Sequence, residues 1–169
     1  MNFLELINKR YSVRSYTSDL VEDAKLAYVL EAGRLAPTAA NFQPISIIVV
    51  HTAGREAELK QIYKSSWFAQ VPLMLCVCGI PSKSWVRSDG KNYCDVDVAI
   101  VMDHLVLAAT EQGLGTCWIG AFDAGAAKKA LKLPEGVEPI VLTPLGYAND
   151  APKPKKRKQL NEIVKYEYY

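Results

Sequence analysis

The segment YCDVDVAIVMDHLVLAATEQ, residues 93–112, carries apolar side chains on almost every side of the helix that it predicts. A helix that is apolar all round has to be buried all round. In a chain of this size, one way to bury such a helix is against a second copy of the chain, so the segment favours an oligomer. Gly113 and Gly115 follow directly and end the helix.

The rest of the chain alternates between helices and strands. Further helices are predicted at Asn2–Lys9, from about Glu22 to Leu35, at Arg55–Tyr63 and at Ala124–Leu131. Strands are predicted at Ile45–Val50, which we expect at the centre of the sheet, at Leu73–Cys78, at Thr116–Ile119 and at Pro139–Leu145. This order favours an α+β fold of three layers. We expect residues 1–169 to form one domain, with an extended basic tail over residues 149–169.

The composition is that of an ordinary globular protein. Of the 169 residues, 50% are hydrophobic, and the formal net charge of only +2 argues against a nucleic-acid-binding protein. The first apolar stretch, Phe3–Ile7, is short and contains a carboxylate, so no signal peptide is expected. The longest apolar run, Val71–Cys78, is too short for a membrane span. We therefore expect a cytoplasmic protein without a membrane partner.

Cysteine and histidine are too few and too scattered to predict a metal site. No C-x-x-C spacing occurs, and the only histidines are His51 and His104. A disulfide and a nucleophilic thiol are equally unsupported. Because free cysteine is among the most buried residue types, we expect core packing for all four, Cys76, Cys78, Cys94 and Cys117.

A basic cluster near the amino terminus, KRYSVRSY at residues 9–16, is the first sign of a ligand site. Guanidinium groups bind phosphate oxygens in a bidentate manner, and a neighbouring hydroxyl completes the hydrogen bonds of the anion. The cluster therefore predicts a phosphate or anion site. The alternative is a solvated helix end, because short basic clusters are common.

Four short segments, spread over essentially the whole chain, carry a more specific signal. They are KRYSVR at residues 9–14, APTAANFQP at 36–44, GLGTCWIG at 113–120 and LGY at 145–147, followed by the basic tail. In this order and spacing they resemble the nitroreductase family. The resemblance implies an FMN-dependent, interlocked homodimer with two active sites at the subunit interface. It also implies a mixed, mostly antiparallel sheet flanked by helices.

The resemblance assigns the basic cluster to the phosphate end of FMN. Arg10 and Ser12 match the family positions that hold the phosphate and the ribityl chain. Tyr11 belongs to the same site, although many relatives carry a second arginine there. Arg14 matches a cation near the pyrimidine end of the isoalloxazine, where it favours the negatively charged reduced flavin.

Lys155 and Arg157 match a Lys-x-Arg pair that completes the phosphate site in the family. The surrounding run KPKKRK, residues 153–158, is also compatible with a localisation signal or a solvated run of charge. Because lysines adjoin one another, the register of this match is open by one residue.

A second group of residues matches the segment that reaches FMN from the partner subunit. The group consists of Pro37, Thr38, Ala39 and Asn41, with Gln43 supporting the turn. Asn41 is implied to hydrogen-bond the ring edge or the ribityl chain. Its alternative is the role of a simple turn residue.

A third group, Trp118, Ile119 and Gly120, matches the segment that passes close to the isoalloxazine. A glycine permits close approach of the backbone and exposes an N–H near N5 of the flavin. Trp118 has the alternative of being a plain core residue. The aromatic side chains expected near the mouth of the pocket are those of Phe42, Trp67, Phe68 and Trp85.

The activity implied by the resemblance is transfer of two electrons from NAD(P)H to a small acceptor, such as a nitroaromatic or a quinone, in a ping-pong order. No side chain is required as a catalytic acid or base, and His104 is expected to be a core histidine. One alternative keeps the fold with a different flavin reaction, such as dehalogenation, azoline oxidation or flavin fragmentation. Another is a non-enzymatic flavin-binding protein. The low net charge disfavours an RNA-binding protein.

Overall fold

The computed structural model describes residues 1–169 and is built around a four-stranded sheet. The strands are β1 (Ile45–His51), β2 (Leu73–Gly79), β3 (Gly115–Thr116) and β4 (Glu138–Gly146), in the order β1-β2-β4-β3. Every neighbouring pair is antiparallel. A parallel bridge joins Ser12 to Thr116 of β3, so the predicted mixed, mostly antiparallel sheet is confirmed.

Six helices accompany the sheet: α1 (Phe3–Lys9), α2 (Asp23–Leu35), α3 (Glu56–Ile62), α4 (Cys94–Glu111), α5 (Ala124–Ala130) and α6 (Leu160–Ile163). The first five confirm the predicted helices, because each end agrees within about one residue. The short helix α6, which begins with a capping box between Gln159 and Glu162, was not predicted. No helix of the protein is both long enough and apolar enough to cross a bilayer.

The sheet lies between two helical layers, which confirms the predicted three-layer α+β fold. Every residue of β2 is buried, and alternate side chains point to opposite sides of the sheet. On one side, Leu73, Leu75 and Val77 pack with α2 and α4. On the other side, Met74, Cys76 and Cys78 pack with α3 and α5.

The prediction that Ile45–Val50 is a central strand was wrong, because β1 lies at an edge of the sheet. Residues 45–49 are only half-buried. A run of β-branched residues reflects strand propensity and not the position of the strand within its sheet. The continuous apolar run through β2 is the pattern that is typical of a strand buried on both faces.

β3 is shorter than the predicted strand at Thr116–Ile119. The ladder stops because the Cys117 N–H donates to the Thr143 hydroxyl, at 3.1 Å, instead of to a backbone carbonyl. Pairing resumes only at Ile119, which exchanges backbone hydrogen bonds with Leu142. Between these points Trp118 turns outward and is 44% exposed, so its alternative as a plain core residue is wrong.

All four cysteines are buried free thiols, which confirms the predicted core packing. Burial raises the pKa of the Cys94 and Cys117 thiols. Both thiols are therefore protonated at neutral pH and are poor nucleophiles.

Phe68 was expected near the mouth of a pocket, and this expectation was wrong because its side chain is completely buried. Its ring lies edge-on to Tyr63, at 5.4 Å between centroids, and to Trp67, at 6.3 Å. A sequence window of aromatic residues does not distinguish a core cluster from a pocket rim. Phe42, in contrast, is 55% exposed.

Gly115 lets the amino-terminal segment lie directly on β3. A Cβ at this position would come within 2.7 Å of Cγ2 of Val13. We expect Gly115→Ala to lower the free energy of unfolding by about 1–3 kcal/mol, because overpacking a buried contact forces neighbours to shift. Urea denaturation followed by fluorescence measures the change. Gly120→Ala is the matched control, since a Cβ there meets no atom within 4 Å, and an equal loss at Gly120 would contradict the explanation.

Candidate functional site

The predicted basic cluster forms one wall of a cleft of about 410 Å³, and the carboxyl-terminal tail forms the other. Tyr11 and Ser12 contribute to the lining. The charged side chains of the lining are one carboxylate, that of Asp150, and six cations, those of Arg10, Arg14, Lys153, Lys155, Lys156 and Arg157. The fold therefore brings the two basic segments together although they are far apart in the sequence.

None of these cations is paired with a carboxylate. The five ion pairs of the protein all lie outside the cleft. Unpaired guanidinium and ammonium groups that converge on a concave surface attract anions. The cleft therefore favours an anion site over the alternative of a solvated helix end.

Backbone hydrogen bonds hold the basic cluster in place from two sides. The Val13 N–H donates to the Thr116 carbonyl at 2.9 Å, which fixes the cluster against the sheet. The Asn149 N–H donates to the Ser15 carbonyl at 2.8 Å, which fixes the start of the tail against the cluster. Because side chains alternate along an extended segment, Val13 is buried whereas Arg14 is exposed.

Asp150 is a site residue that the sequence analysis missed. Its Oδ2 accepts a hydrogen bond from the Arg14 backbone N–H at 2.8 Å, and its Oδ1 accepts one from the Tyr11 hydroxyl at 3.2 Å. Burial and the neighbouring Asp150 raise the pKa of Tyr11, so its hydroxyl stays a donor. A carboxylate next to a lysine-rich run was the available signal, since it is the one acid placed to counter that charge.

The tail is docked on the end of α1 through Lys155. Its Nζ donates to the backbone carbonyls of Ile7, at 3.2 Å, and of Asn8. The last carbonyls of a helix lack partners within the helix and favour a cation. Burial and the nearby Arg10 and Arg157 lower the pKa of Lys155. This docking argues against a freely solvated run of charge at Lys155.

The segment Trp118–Gly120 lies beside the basic cluster. The Ser12–Thr116 bridge brings the two segments together. The nearby Arg14 charge and Ser12 side chain partly oppose the rise that burial causes in the pKa of the Cys117 thiol. Trp118 points outward, whereas the Ile119 side chain is only 4% exposed and belongs to the core. Ile119 is therefore available to a ligand only through its backbone.

The loop at residues 38–43 is a compact turn tied together by its own polar groups. The Gln43 N–H donates to the Thr38 hydroxyl at 3.0 Å, and the Gln43 side chain donates to the Asn41 carbonyl at 3.2 Å. Asn41 is thus a turn residue through its backbone. Its exposed side chain makes no hydrogen bond within the protein and is available to a ligand.

This loop and the cleft lie at opposite ends of α4. The Ala39 N–H donates to Asp97 in the first turn of α4, while the basic cluster pairs with Thr116, just beyond its last turn. At a rise of 1.5 Å per residue, Asp97 and the last residue of α4 are about 20 Å apart along the helix. A single chain therefore does not bring the predicted residues Pro37–Gln43 to the cleft.

Ala40 adopts a left-handed backbone conformation, with φ of 51° and ψ of 19°. This conformation costs a residue with a Cβ about 1–2 kcal/mol, and glycine avoids the cost. We expect Ala40→Gly to leave the free energy of unfolding unchanged or to raise it by up to about 1 kcal/mol. Thermal unfolding measures it. Ala39→Gly, beside it in the turn, is the control and should lower stability by about 0.5–1 kcal/mol; equal losses in both variants would contradict the argument.

Comparison with known proteins identifies the family. The sequence model of the nitroreductase family matches residues 7–73 and 54–147 of the chain. The crystal structure of a nitroreductase family protein from Clostridium difficile 630 is similar with a TM-score of 0.90 and 39% sequence identity, with 100% of both chains covered.

Two relatives agree with this result. A protein of Archaeoglobus fulgidus with NADH dehydrogenase and NAD(P)H nitroreductase in its name is 30% identical over 162 residues, covering 87% of this chain and 86% of its own. The FMN reductase [NAD(P)H] of Bacillus subtilis is 26% identical over 175 residues, covering 94% of this chain and 70% of its own. On the family match and these similarities over most of its length, the chain belongs to the nitroreductase family.

Proposed function

We propose that this protein is an FMN-dependent oxidoreductase that transfers two electrons from NAD(P)H to a small acceptor. The observation that carries the proposal is the cleft between the basic cluster and the tail, whose six cationic side chains have no carboxylate partner. The name of the B. subtilis relative, FMN reductase [NAD(P)H], supports the choice of ligand.

The chemistry of the cleft fits the phosphate of FMN. A phosphomonoester carries nearly two negative charges at neutral pH and presents three strong acceptor oxygens. Arg10 and Arg157 offer guanidinium forks, and Ser12 offers a hydroxyl. Lys155 adds positive charge while it holds the tail on α1. The Tyr11 hydroxyl is engaged by Asp150, so we assign Tyr11 to holding the tail in place.

The segment Trp118–Gly120 supplies the ring side of the proposed site. Trp118 is exposed beside the basic cluster, and the position of a Cβ at Gly120 is open, which leaves room for a planar ring. The backbone of Ile119 borders the same space. Arg14 is exposed and lies on this side of the cleft, where its charge is expected to act on the pyrimidine end of the flavin.

We propose that the site is completed in a homodimer. The loop with Pro37, Thr38, Ala39 and Asn41 and the cleft of the same chain lie at opposite ends of α4, so a second copy is needed to bring the loop there. An incompletely buried apolar face of α4 could contact that copy, since Val96 is 38% exposed and Ile100 is only half-buried. This face accounts for the excess of apolar residues in α4.

FMN, when bound, supplies the two-electron chemistry. The chain supplies position and charge, and NAD(P)H and the acceptor are proposed to use the same site in turn, in a ping-pong order. A nitroaromatic or a quinone is the proposed class of acceptor. We assign no acid or base, because His104 lies half-buried on α4 with its Nδ1 2.9 Å from the Ile100 carbonyl oxygen.

The test is an absorbance spectrum of the purified protein, followed by anaerobic addition of NADH and then NADPH. Flavin bands that bleach with either nicotinamide, and return when a nitroaromatic or quinone is added, are the expected result. Flavin bands that neither nicotinamide bleaches would favour a flavin-binding protein without this activity. A protein that takes up no FMN on reconstitution would overturn the proposal.

Arg14→Ala should lower the reduction potential of the bound flavin by roughly 30 mV, which corresponds to about 1.4 kcal/mol for two electrons. The reason is that a fixed cation near the pyrimidine end favours the negatively charged reduced form. Redox titration against a dye of known potential measures the shift. Arg14→Lys keeps the charge and serves as the control. An unchanged potential in Arg14→Ala would remove Arg14 from this role.

A further inference from the structure

Asp97 is the only charged residue among the buried residues of the protein, with 1% of its surface exposed. Its Oδ1 accepts a hydrogen bond of 2.7 Å from the backbone N–H of Ala39. Its Oδ2 is buried and is the only buried side-chain oxygen or nitrogen without a hydrogen-bond partner. Asp97 does not line the cleft.

Stabilisation of α4 by its charge does not explain why Asp97 is buried. Asp97 lies in the first turn of α4, where a carboxylate favours the positive end of the helix dipole, but the exposed Asp95 already provides that charge. Leaving a carboxylate oxygen buried and unpaired lowers stability. A buried carboxylate with an unpaired oxygen therefore points to a role beyond folding.

The loop that Asp97 contacts is the most strained part of the backbone. Ala40, Asn41 and Gln43 all have left-handed φ values, of 51°, 58° and 52°. Non-glycine residues keep this conformation only where their surroundings enforce it. The bonds from Gln43 to Thr38 and to Asn41 tie the loop only to itself. The bond from the Ala39 N–H to Asp97 ties the loop to α4.

We propose that Asp97 is a positioning residue for flavin binding, which holds the loop of residues 38–43 through the Ala39 N–H in the geometry that presents Asn41 to the flavin. This inference rests on the proposed function, because it needs the loop to meet a flavin across the subunit interface. Asp97 itself does not touch the flavin. It orders the loop before the flavin binds, so that the loop loses less conformational entropy on binding.

The experiment compares Asp97→Ala with Asp97→Asn in the full-length protein. Asparagine keeps a side-chain oxygen that accepts the Ala39 N–H, whereas alanine does not. Hydrogen exchange of a peptide covering residues 37–43 is measured first, without flavin. Exchange should accelerate about tenfold or more in Asp97→Ala and stay close to wild type in Asp97→Asn, because a broken amide hydrogen bond exposes the N–H to solvent.

Fluorescence titrations with FMN and with riboflavin then test the link to binding. Riboflavin has the same ring and ribityl chain but lacks the phosphate. Asp97→Ala should weaken both ligands by the same factor of about ten, and Asp97→Asn should stay within about twofold of wild type. The ratio of the two affinities should not change, since the phosphate cleft is untouched. The unfolding temperature of the flavin-free Asp97→Ala variant should stay within about 4 °C of wild type.

Thr110→Val is the matched control on the same helix. Thr110 is also buried, and its hydroxyl donates to the Val106 carbonyl at 2.8 Å. It lies about 20 Å along α4 from Asp97. Removing this buried hydrogen bond should change neither the exchange of residues 37–43 nor the affinity for either flavin.

Three results would overturn the positioning role while leaving the proposed function in place. They are wild-type flavin affinities in Asp97→Ala, unchanged exchange of the loop in Asp97→Ala, and losses of flavin affinity that are equal in the alanine and asparagine variants. A wild-type protein that binds neither FMN nor riboflavin would overturn the proposed function and the role of Asp97 with it.

Discussion

Arg10→Ala should weaken FMN binding by about 10- to 100-fold and leave riboflavin binding unchanged. A hydrogen bond to a charged group contributes about 1.5–3 kcal/mol, and each 1.4 kcal/mol is a factor of ten in affinity. Arg10 is half-buried in the cleft and has no carboxylate partner, so its guanidinium is available to a phosphate. Fluorescence titration of the flavin-free protein with both ligands measures the effect.

The comparison of the two ligands separates a phosphate contact from general damage to the site. Arg55→Ala is the matched control, because this arginine precedes α3, outside the cleft, and is already engaged by Glu58 and by the carbonyl of Ala130 at the end of α5. The salt dependence of FMN binding should also become weaker in Arg10→Ala, since one charge–charge contact is lost. Equal losses for FMN and riboflavin would place Arg10 away from the phosphate.

Patterns that depend on neighbouring positions in the sequence could be predicted. The apolar run of α4 and the glycines after it fixed both ends of the helix to within about one residue. The apolar run at Leu73–Cys78 predicted a strand, and every residue of β2 is buried. In each case the signal lies in neighbouring positions of the sequence.

The remaining site residues depend on contacts between distant parts of the chain. The resemblance to the family was needed to place Arg157 beside Arg10, and the cleft now brings them together. Asp97 accepts a hydrogen bond from a residue 58 positions away, and Asp150 from one 136 positions away. A lone carboxylate has no periodicity, so the local sequence pattern gives the partner of neither residue, although the lysine-rich run beside Asp150 marks that residue as a candidate for the site.

The local sequence pattern did not predict that Phe68 belongs to the core. Replacement of this residue should have the largest effect on stability. We expect Phe68→Ala to lower the free energy of unfolding by about 3–5 kcal/mol. The side chain is completely buried between α3, the sheet and the rings of Tyr63 and Trp67. Truncation removes that burial and leaves a cavity among these neighbours. Urea denaturation followed by circular dichroism measures the change.

Phe42→Ala is the same substitution at an exposed phenylalanine, and it should change the free energy of unfolding by less than about 0.5 kcal/mol. Because both variants replace phenylalanine by alanine, a difference between their losses of stability reports the burial of the side chain. The same comparison distinguishes an aromatic residue of the core from an exposed one, which the sequence pattern did not do. Phe42 follows Asn41 in the loop that we place against the flavin, so its loss is expected to appear in flavin affinity rather than in stability. A large loss of stability in Phe42→Ala, with little in Phe68→Ala, would contradict the packing of this layer.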